Sequence, residues 1–357
     1  MNTPRLEIYP SRIEANARAV LQLCHDHGAQ VAGVTKVTCA HPEVARALIA
    51  AGADSLADSR LENLHALRRQ GWRVPLLSLR IATPSQAADV VRAADVSLNS
   101  SPETIRRLND AARLAGVHHR VILMLDVGDL REGVWHTRAV EVLQQVAALP
   151  QIEIIGLGAN LACYGGVIPS RENMHWLIQA REACRTATGL ELPLLSGGNS
   201  SSLPLLAEGG MPKEINHFRI GEAIVLGRNV LDRTPWRGTR QDTFRVVAEV
   251  VEVERKPSVP IGARGQDAFG GYTEFEERGT RRRAICNLGR QDITVDGLTP
   301  EDPAILVLGG SSDHLVLDVE DAQQPVRVGD ELAFFPNYAA LLAASTSPYV
   351  HKMVLEG

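Results

Sequence analysis

Residues 31–39 read Val31-Ala32-Gly33-Val34-Thr35-Lys36-Val37-Thr38-Cys39. The stretch begins as a short apolar run typical of a buried strand, and Lys36 stands at the C-terminal end of that run. In an α/β fold with parallel strands, the active site opens at this end of the strands. An ammonium group beside apolar neighbours loses hydration, which favours the free amine as a nucleophile or base. Lys36 is therefore a candidate for covalent chemistry, and the alternative is a solvated lysine whose stem lies along the strand end.

Strand-like runs alternate with amphipathic helical segments around this stretch. A strand at residues 6–9 leads into a helical pattern that begins at Pro10. Eight further apolar runs follow at intervals of roughly 20 to 35 residues, which is typical of βα units. These units predict a TIM-type (β/α)8 barrel, with an open, doubly wound sheet as the alternative. The eight runs are residues 31–36, 55–57, 75–79, 96–98, 121–127, 152–158, 192–196 and 217–220.

The pattern changes after Arg228. Residues 235–238 have the composition of a linker, and short alternating strands then replace the helical periodicity. We therefore expect a (β/α)8 barrel domain at residues 1–233 and a mainly β domain at residues 234–357, with residues 1–10 able to pair with the second domain. The short strands are predicted at residues 244–253, 283–288, 304–308 and 314–319.

Composition excludes several classes of protein. Of the 357 residues, 45% are hydrophobic and 22% are charged, as in an ordinary globular protein. A net charge of -5 argues against a nucleic-acid partner. No apolar run approaches the roughly 20 residues of a membrane span, and the N-terminus lacks the apolar segment of a signal peptide, so we expect a cytoplasmic protein. The five cysteines are scattered without a CxxC pair, so we expect reduced thiols and no metal site.

Polar clusters follow several predicted strands. Residues 126–133 close the fifth strand, the Gly/Ser-rich residues 196–202 close the seventh, and Arg219 with Gly221 closes the eighth. Loops after strands 7 and 8 of a barrel commonly bind phosphate through unobstructed N–H groups. A phosphate site facing a strand-end lysine suggests pyridoxal 5'-phosphate (PLP), whose phosphate anchors the ring while Lys36 holds the aldehyde as an imine.

The motifs in this order resemble those of the alanine racemase superfamily, the fold-type III PLP enzymes, and most closely its ornithine racemase-like branch. The resemblance covers nearly the whole chain. Its motifs are Gly33-Val34-Thr35-Lys36-Val37, Leu56-Ala57-Asp58-Ser59-Arg60, Asp129-Leu130-Arg131-Glu132-Gly133, Cys163-Tyr164-Gly165-Gly166, Ser196-Gly197-Gly198-Asn199-Ser200, Arg219-Ile220-Gly221-Glu222, Lys256-Pro257-Ser258-Val259-Pro260, Gly289-Arg290-Gln291-Asp292, Ser311-Ser312-Asp313-His314 and Asn337-Tyr338.

The resemblance implies a role for each matching residue. Lys36 is similar to the Schiff-base lysine that also serves as the base for one face of the substrate Cα, and Arg219 to the arginine that faces the pyridine nitrogen. Because a guanidinium only donates hydrogen bonds, Arg219 would make the ring a weaker electron sink than a carboxylic acid would. The implied cofactor-binding residues are Lys36, Arg131, Asn160, Asn199, Ser200, Arg219, Gly221, Glu222 and Tyr338, and the implied substrate-binding residues are Arg131, Ser312 and Asp313, the last two supplied by the partner subunit of a homodimer.

Two positions depart from the family pattern. The tyrosine that serves as the second base of alanine racemases is absent, because Arg290 stands within the corresponding motif. Racemisation needs a proton donor and an acceptor on opposite faces of Cα, so the second group must come from elsewhere. Asn160 stands where alanine racemases usually have a histidine against the ring. The candidates for the second group are Asp292, His314 and Cys286, whose alternative roles are a turn aspartate, a solvated histidine and a buried thiol.

The leading hypothesis is an isomerase: a PLP-dependent, dimeric racemase that interconverts L- and D-amino acids, with a basic substrate such as ornithine. A substrate ammonium buried at the site would need a carboxylate partner. Two alternatives are a PLP-dependent decarboxylase of the same fold and a non-catalytic PLP carrier. The carboxylates that could bind the ammonium are Asp129, Glu132, Asp292 and Asp313.

Overall fold

The computed structural model describes residues 2–356 and divides them into two compact units. One unit is the continuous segment Pro10–Gln241, and the other combines residues 2–9 with residues 242–356. The strands are β1 (Arg5–Ile8), β2 (Gln30–Val34), β3 (Ser55–Asp58), β4 (Leu76–Ser78), β5 (Val96–Asn99), β6 (His119–Asp126), β7 (Val134–Trp135), β8 (Ile152–Ala159), β9 (Leu194–Ser196), β10 (His217–Ile220), β11 (Phe244–Pro257), β12 (Thr280–Cys286), β13 (Leu298–Pro300), β14 (Leu306–Gly310), β15 (Leu315–Asp318), β16 (Glu331–Pro336) and β17 (His351–Val354).

Ten α-helices accompany the strands within residues 2–356. Proline occupies the first turn of several of them, where its missing N–H costs no hydrogen bond. Among these helices none is both long and apolar enough to cross a membrane. The helices are α1 (Pro10–Asp26), α2 (Pro42–Ala50), α3 (Leu61–Arg69), α4 (Ala87–Ala93), α5 (Pro102–Ala115), α6 (Ala139–Gln144), α7 (Arg171–Thr188), α8 (Leu203–Ala207), α9 (Glu222–Val225) and α10 (Tyr338–Thr346).

The unit Pro10–Gln241 is a closed barrel. Its eight parallel strands follow the order β2-β3-β4-β5-β6-β8-β9-β10, and β10 pairs with β2. The pairing of β5 with β6 completes the ring, since Val96 lies opposite Arg120 and Asn99 opposite Leu123. The predicted barrel is therefore confirmed, and the open sheet is excluded. We call the C-terminal ends of these eight strands the barrel mouth.

Alternate residues of the barrel strands fill its interior with small and branched apolar side chains. An eight-stranded barrel needs such side chains, because its interior is just wide enough to be filled by them and must be closely packed. Gly156 of β8 lies so close to β9 that a Cβ on it would be 2.0 Å from the carbonyl oxygen of Leu194. The interior cluster consists of Ala32, Val34, Ala57, Leu77, Val96, Leu98, Ile122 and Met124.

The second unit is mainly β, as the sequence predicts. Its strands lie in the order β13-β16-β11-β12-β15-β14, with each neighbouring pair antiparallel. The N-terminal strand β1 belongs to this sheet and pairs with β11 and β17. Thus the first strand of the chain and its last strand close one edge of the same unit.

Residues 234–241 pack with the barrel, although the sequence boundary places them in the second domain. The Asn16 side chain of α1 donates to the carbonyl of Arg240 at 2.8 Å and accepts from the Arg240 N–H at 2.7 Å. Gln241 donates to the carbonyl of Gly227 at 2.8 Å. Asn16 is fully buried, so these bonds satisfy a polar group inside the unit.

Candidate active site

Lys36 begins a 3₁₀ turn, Lys36–Thr38, at the mouth end of β2. The carbonyl of Thr35 accepts from the N–H of Thr38 at 3.0 Å and from that of Ala40 at 3.3 Å, which fixes the turn. The Thr35 hydroxyl donates to the carboxylate of Asp58, on the adjacent strand β3, at 2.7 Å. Lys36 itself is half-buried. The turn that carries the Lys36 amine is thus hydrogen-bonded to the neighbouring strand β3.

Arg219 lies on β10, beside β2, and is 4% exposed. Its guanidinium donates to the Ala159 carbonyl at 2.7 Å, to Asn160 Oδ1 at 3.5 Å and to the hydroxyl of Ser196. Burial lowers the pKa of Arg219 to about 10, which leaves the group protonated at neutral pH. The buried Arg219 cation is thus held by three neutral acceptors, and it links its own strand β10 to the ends of β8 and β9.

His217 contributes to the position of Arg219 through a shared partner, the hydroxyl of Ser196. The Ser196 hydroxyl, which accepts from Arg219, lies 2.6 Å from Nδ1 of His217. Burial, and to a smaller extent the Arg219 cation, lower the pKa of His217 to about 3. His217 is therefore neutral. Because arginine can only donate, the hydroxyl is free to donate to Nδ1, and the three groups form one ordered chain.

Asn160 and Asn199 connect the loops that follow β8 and β9. Asn199 Nδ2 donates to Asn160 Oδ1 and to the Leu161 carbonyl, both at 3.0 Å. Its Oδ1 accepts from the Ser201 N–H at 2.7 Å. Asn160 Nδ2 lies 3.0 Å from the exposed Cys163 Sγ. This amide network places a thiol close to the Arg219 guanidinium at the mouth.

Asp129 holds the loop that contains Cys163. It is 1% exposed, and its carboxylate accepts from the N–H groups of Cys163 at 3.1 Å, Tyr164 at 2.9 Å and Val167 at 3.1 Å. Burial acts to raise the pKa of Asp129, but these donors outweigh it and the pKa is lowered. Because the carboxylate is saturated by backbone donors, Asp129 orders this loop and is poorly placed to bind a substrate ammonium.

Arg131 and Glu132 form an ion pair in the loop after β6. Arg131 Nη2 lies 2.6 Å from Glu132 Oε1, and the side chains are 42% and 27% exposed. The carboxylate also interacts favourably with the buried Arg219, whose pKa it acts to raise. The pair therefore brings one exposed cation and one accessible carboxylate to the mouth.

The loops after β9 and β10 meet at Ser200. Its hydroxyl accepts from the N–H of Ala223, in the first turn of α9, at 3.2 Å. Gly198 has a φ of +115°, so a side chain there would be strained. Gly221 lies close to β2, since a Cβ on it would be 3.0 Å from Val34 Cβ. The Glu222 carboxylate pairs with Arg233, and burial raises its pKa although the Arg233 and Lys36 cations act to lower it.

The remaining predicted site residues lie in the second unit. Its two turns, residues 289–292 and residues 311–314, are joined by the N–H of Gln291, which donates to the Ser312 carbonyl at 3.1 Å, and by a side-chain bond from Gln291 to Asp313. Ser312, Asp313 and His314 are exposed on this pair of turns. Tyr338 begins α10 and is half-buried.

Two of the three candidates for the second base are occupied or buried. The Asp292 carboxylate accepts from the Gly289 N–H at 3.0 Å, so it caps its own turn. Cys286 is fully buried in β12, and burial raises its pKa to about 12. A thiol that keeps its proton and has no access to solvent is unsuited to exchange protons with a substrate.

The sequence assigns no individual role to Ser196, His217 or Cys163 in the site. Ser196 begins the motif at residues 196–200, whereas His217 lies in a predicted strand and in none of the motifs. Cys163 begins the motif at residues 163–166, three residues after Asn160, and the fold brings it near the distant Arg219. A signal was present in the order of the motifs, because each of the three lies at or near a predicted strand end.

Comparisons with known proteins agree with this architecture. The family described as alanine racemase, N-terminal domain, matches residues 8–229, and a putative serine dehydratase domain matches residues 273–351. The solved alanine racemase of Corynebacterium glutamicum superposes with a TM-score of 0.74 at 20% identity, covering 99% of this chain and 100% of that one. This likeness shows the shared fold. The chain belongs to the alanine racemase family, as its motifs predict.

Two relatives are similar along their whole length. A lysine racemase from Thermotoga maritima is 42% identical over 98% of both chains. An ornithine racemase from Acetoanaerobium sticklandii is 39% identical over 99% of both chains. The two domains of this chain are therefore matched together, in the same order and at nearly the same length.

Proposed function

We propose that this protein is a PLP-dependent racemase of basic amino acids and that Lys36 is its catalytic amine. The observation that carries the proposal is the placement of Lys36 and the buried Arg219 at the mouth ends of adjacent strands, in a chain of the alanine racemase family. The full-length relatives are a lysine racemase and an ornithine racemase.

The residues at the mouth fit the cofactor. Arg219 presents a buried, protonated donor that suits the unprotonated nitrogen of a pyridine ring. The Ser200 hydroxyl, Gly221 and the first-turn N–H groups of α9 meet in a loop pair free of bulky side chains, which suits a phosphate. When bound, PLP supplies an aldehyde for an amino group and a ring that withdraws electrons from the substrate Cα. Arg131, Asn160, Asn199, Glu222 and Tyr338 complete the proposed contacts.

Racemisation needs a second proton-transfer group on the face of Cα opposite Lys36. Cys286 is fully buried and cannot reach a substrate. The Asp292 carboxylate already accepts a hydrogen bond from the Gly289 N–H, which makes it a poorer base. His314 is exposed beside Ser312 and Asp313, and the structure adds the exposed Cys163, 3.0 Å from Asn160. We therefore propose His314 as the second proton-transfer group, supplied by the second domain of the partner subunit in a homodimer. The alternative is Cys163, which lies on the same barrel as Lys36.

A basic substrate requires a carboxylate that is accessible and not saturated. Asp129 and Asp292 are engaged by backbone N–H groups, whereas Glu132 and Asp313 are accessible. Glu132 lies at the barrel mouth, where its charge can attract the side-chain ammonium of lysine or ornithine. This supports a preference for basic over apolar amino acids.

The test is a screen of purified protein with added PLP against L-lysine, L-ornithine and L-alanine, with products separated by chiral chromatography. We expect D-lysine or D-ornithine to form fastest, with deuterium entering Cα in deuterated water. Lys36→Ala should abolish turnover, and borohydride should attach the cofactor to a peptide containing Lys36 in the unmodified chain only. Arg113→Gln, exposed on α5, is the matched control and should be fully active.

Two other outcomes would replace the proposal. Release of carbon dioxide from these amino acids would identify a decarboxylase. Binding of PLP without any Cα exchange across the standard amino acids would identify a carrier, although a carrier has no evident use for the second unit, residues 242–356.

A further inference from the structure

Arg290 belongs to the two joined turns of the second unit, residues 289–292 and residues 311–314. Its N–H donates to the Ser311 carbonyl at 2.9 Å, so the backbone of the first turn is paired with that of the second. The second turn carries the residues of this unit that are predicted to contact the substrate. Arg290 therefore stands on the same hydrogen-bonded platform as those residues.

The Arg290 guanidinium is held in a fixed plane. Its Nε donates to the Gly310 carbonyl at 2.9 Å, just before the second turn. Its Cζ lies 4.7 Å from the centroid of the Phe269 ring, so the aromatic ring covers one face of the cation. Among the described residues 2–356, the two terminal nitrogens of Arg290 have no hydrogen-bond acceptor. The side chain thus presents a pair of donors whose direction is already set.

Phe269 is held by the long loop between β11 and β12, residues 258–279. The Asp267 carboxylate accepts from the N–H groups of Phe269 and Gly271, both at 2.9 Å, which orders the tip of the loop. These donors, more than the nearby Arg290 cation, lower the pKa of Asp267. Because the carboxylate is engaged by backbone groups, the terminal nitrogens of Arg290 remain available for another anion.

The proposed substrate needs a cation for its carboxylate. Lysine and ornithine each carry one carboxylate and two ammonium groups. At the barrel mouth, the Arg131 guanidinium is already paired with Glu132 at 2.6 Å. On the turns of the second unit, Asp313 is itself an anion and accepts from Gln291. Arg290 supplies these turns with a cation whose donors are not taken.

We propose that Arg290 binds the α-carboxylate of the substrate and that Phe269 is the positioning residue that orients Arg290. The inference rests on the proposed function, in which the second unit of the partner subunit contributes its turns to the active site. Two parallel donors of a guanidinium fit a carboxylate in bidentate geometry. The same charge repels the side-chain ammonium of lysine or ornithine, which favours one orientation of the substrate. Within the motif that holds the tyrosine of alanine racemases, this chain thus has a binding group in place of a proton-transfer group.

Arg290→Gln tests the carboxylate contact in steady-state racemisation. The KM for lysine and for alanine should rise alike, by about tenfold, with little change in kcat, because every amino acid carries the α-carboxylate. Arg290→Lys keeps the charge but not the paired donors, so it should recover part of the loss. Arg264→Gln is the matched control, since Arg264 lies 4.8 Å from the centroid of Phe275 in the same loop and should leave KM unchanged. Melting temperature confirms that each variant is folded.

Phe269→Leu keeps an apolar side chain and removes the aromatic face. The KM should rise about two- to fivefold, the range expected for an exposed cation–π contact, while kcat changes little. Phe269→Trp retains an aromatic face and should restore the original KM. Phe275→Leu, which removes the ring beside Arg264, is the control. A lower melting temperature without recovery of KM in the tryptophan variant would show that Phe269 only stabilises the loop.

Binding of ε-(dimethylamino)caproate tests the same contact without turnover. This probe resembles lysine without its α-amino group, and its tertiary amine cannot form an imine. In calorimetric titration of the PLP-loaded protein, the acid should bind more tightly than the corresponding amide, and Arg290→Gln should remove that difference while Arg264→Gln keeps it. No binding of the acid, or an unchanged difference in Arg290→Gln, would overturn the inference even in a protein that racemises lysine. Turnover that survives Lys36→Ala would instead overturn the proposed function, and the difference between acid and amide would still report on Arg290.

Discussion

Arg219 shows how one residue can order three strand ends. A guanidinium presents several donors in a fixed plane, and here they reach the Ala159 carbonyl, Asn160 and Ser196. The neutral His217 completes the arrangement, because a second cation at that position would repel the first. The family resemblance predicts Arg219 at the site, but only the structure shows that Ser196 and His217 fix its orientation.

Arg219→Lys should retain the positive charge and lose most of the activity. An ammonium cannot bond to the Ala159 carbonyl, Asn160 and Ser196 in the geometry of the guanidinium, so the site is misaligned. We expect kcat to fall by about 10- to 100-fold, the usual scale of a small misplacement. Steady-state racemisation measures this, with Arg113→Lys as the exposed control; an unchanged kcat would show that charge alone suffices.

Glu132→Gln should change substrate preference more than rate. The substitution removes the accessible carboxylate at the mouth, so the KM for lysine should rise by about tenfold while the KM for alanine changes little. Glu141→Gln is the control, since Glu141 forms a similar exposed pair with Arg138. Equal changes in KM for both substrates would show that Glu132 acts only through its pair with Arg131.

At the scale of elements, local pattern predicts the barrel strands well, but it misses β13, β16 and β17 of the second unit and the conformation of the loops. The eight predicted barrel strands are confirmed because each is a short apolar run bounded by polar residues. The conformation of residues 160–167 depends instead on Asp129, more than thirty residues earlier in the chain. No local signal reports such a contact. The pattern does not predict α10 either, because this helix has no distinct apolar face and begins two residues after β16 ends.

Asp129→Asn should loosen the loop after β8 without unfolding the barrel. An amide oxygen is a weaker acceptor than a carboxylate, so the bonds from Cys163, Tyr164 and Val167 weaken. Amide hydrogen exchange at residues 163–167 should become at least about tenfold faster, with exchange in β6 and β8 unchanged. Uniformly faster exchange in both strands would mean that Asp129 supports the whole barrel.

At the scale of the molecule, the sequence pattern alone does not distinguish a closed barrel from an open sheet. Barrel and open sheet share the same βα pattern, and the difference is the single pairing of β5 with β6. The sequence allows residues 1–10 to pair with the second domain, but it does not name the partner strands, which are the distant β11 and β17. Both features depend on contacts between distant segments, which periodicity does not encode.

Two buried histidines should make the barrel sensitive to acid. Burial lowers the pKa of His119 to about 4 and that of His217 to about 3, so neither is protonated in the folded state near pH 5. The unfolded chain takes up these protons below about pH 6.5. Since the unfolded state then binds more protons, the free energy of unfolding falls with pH from about 6.5 towards 4, by at most about 1.4 kcal/mol per pH unit for each histidine.

Urea unfolding of His119→Gln between pH 7 and 4.5 tests this dependence. The variant loses the bond between His119 and Ser97, so it should be less stable at pH 7, but its stability should decline less steeply with acid. His118→Gln is the control, because His118 is exposed on the preceding residue and should leave the slope unchanged. An equal slope in all three proteins would show that His119 is protonated in the folded state, and that carboxylates alone govern the response to acid.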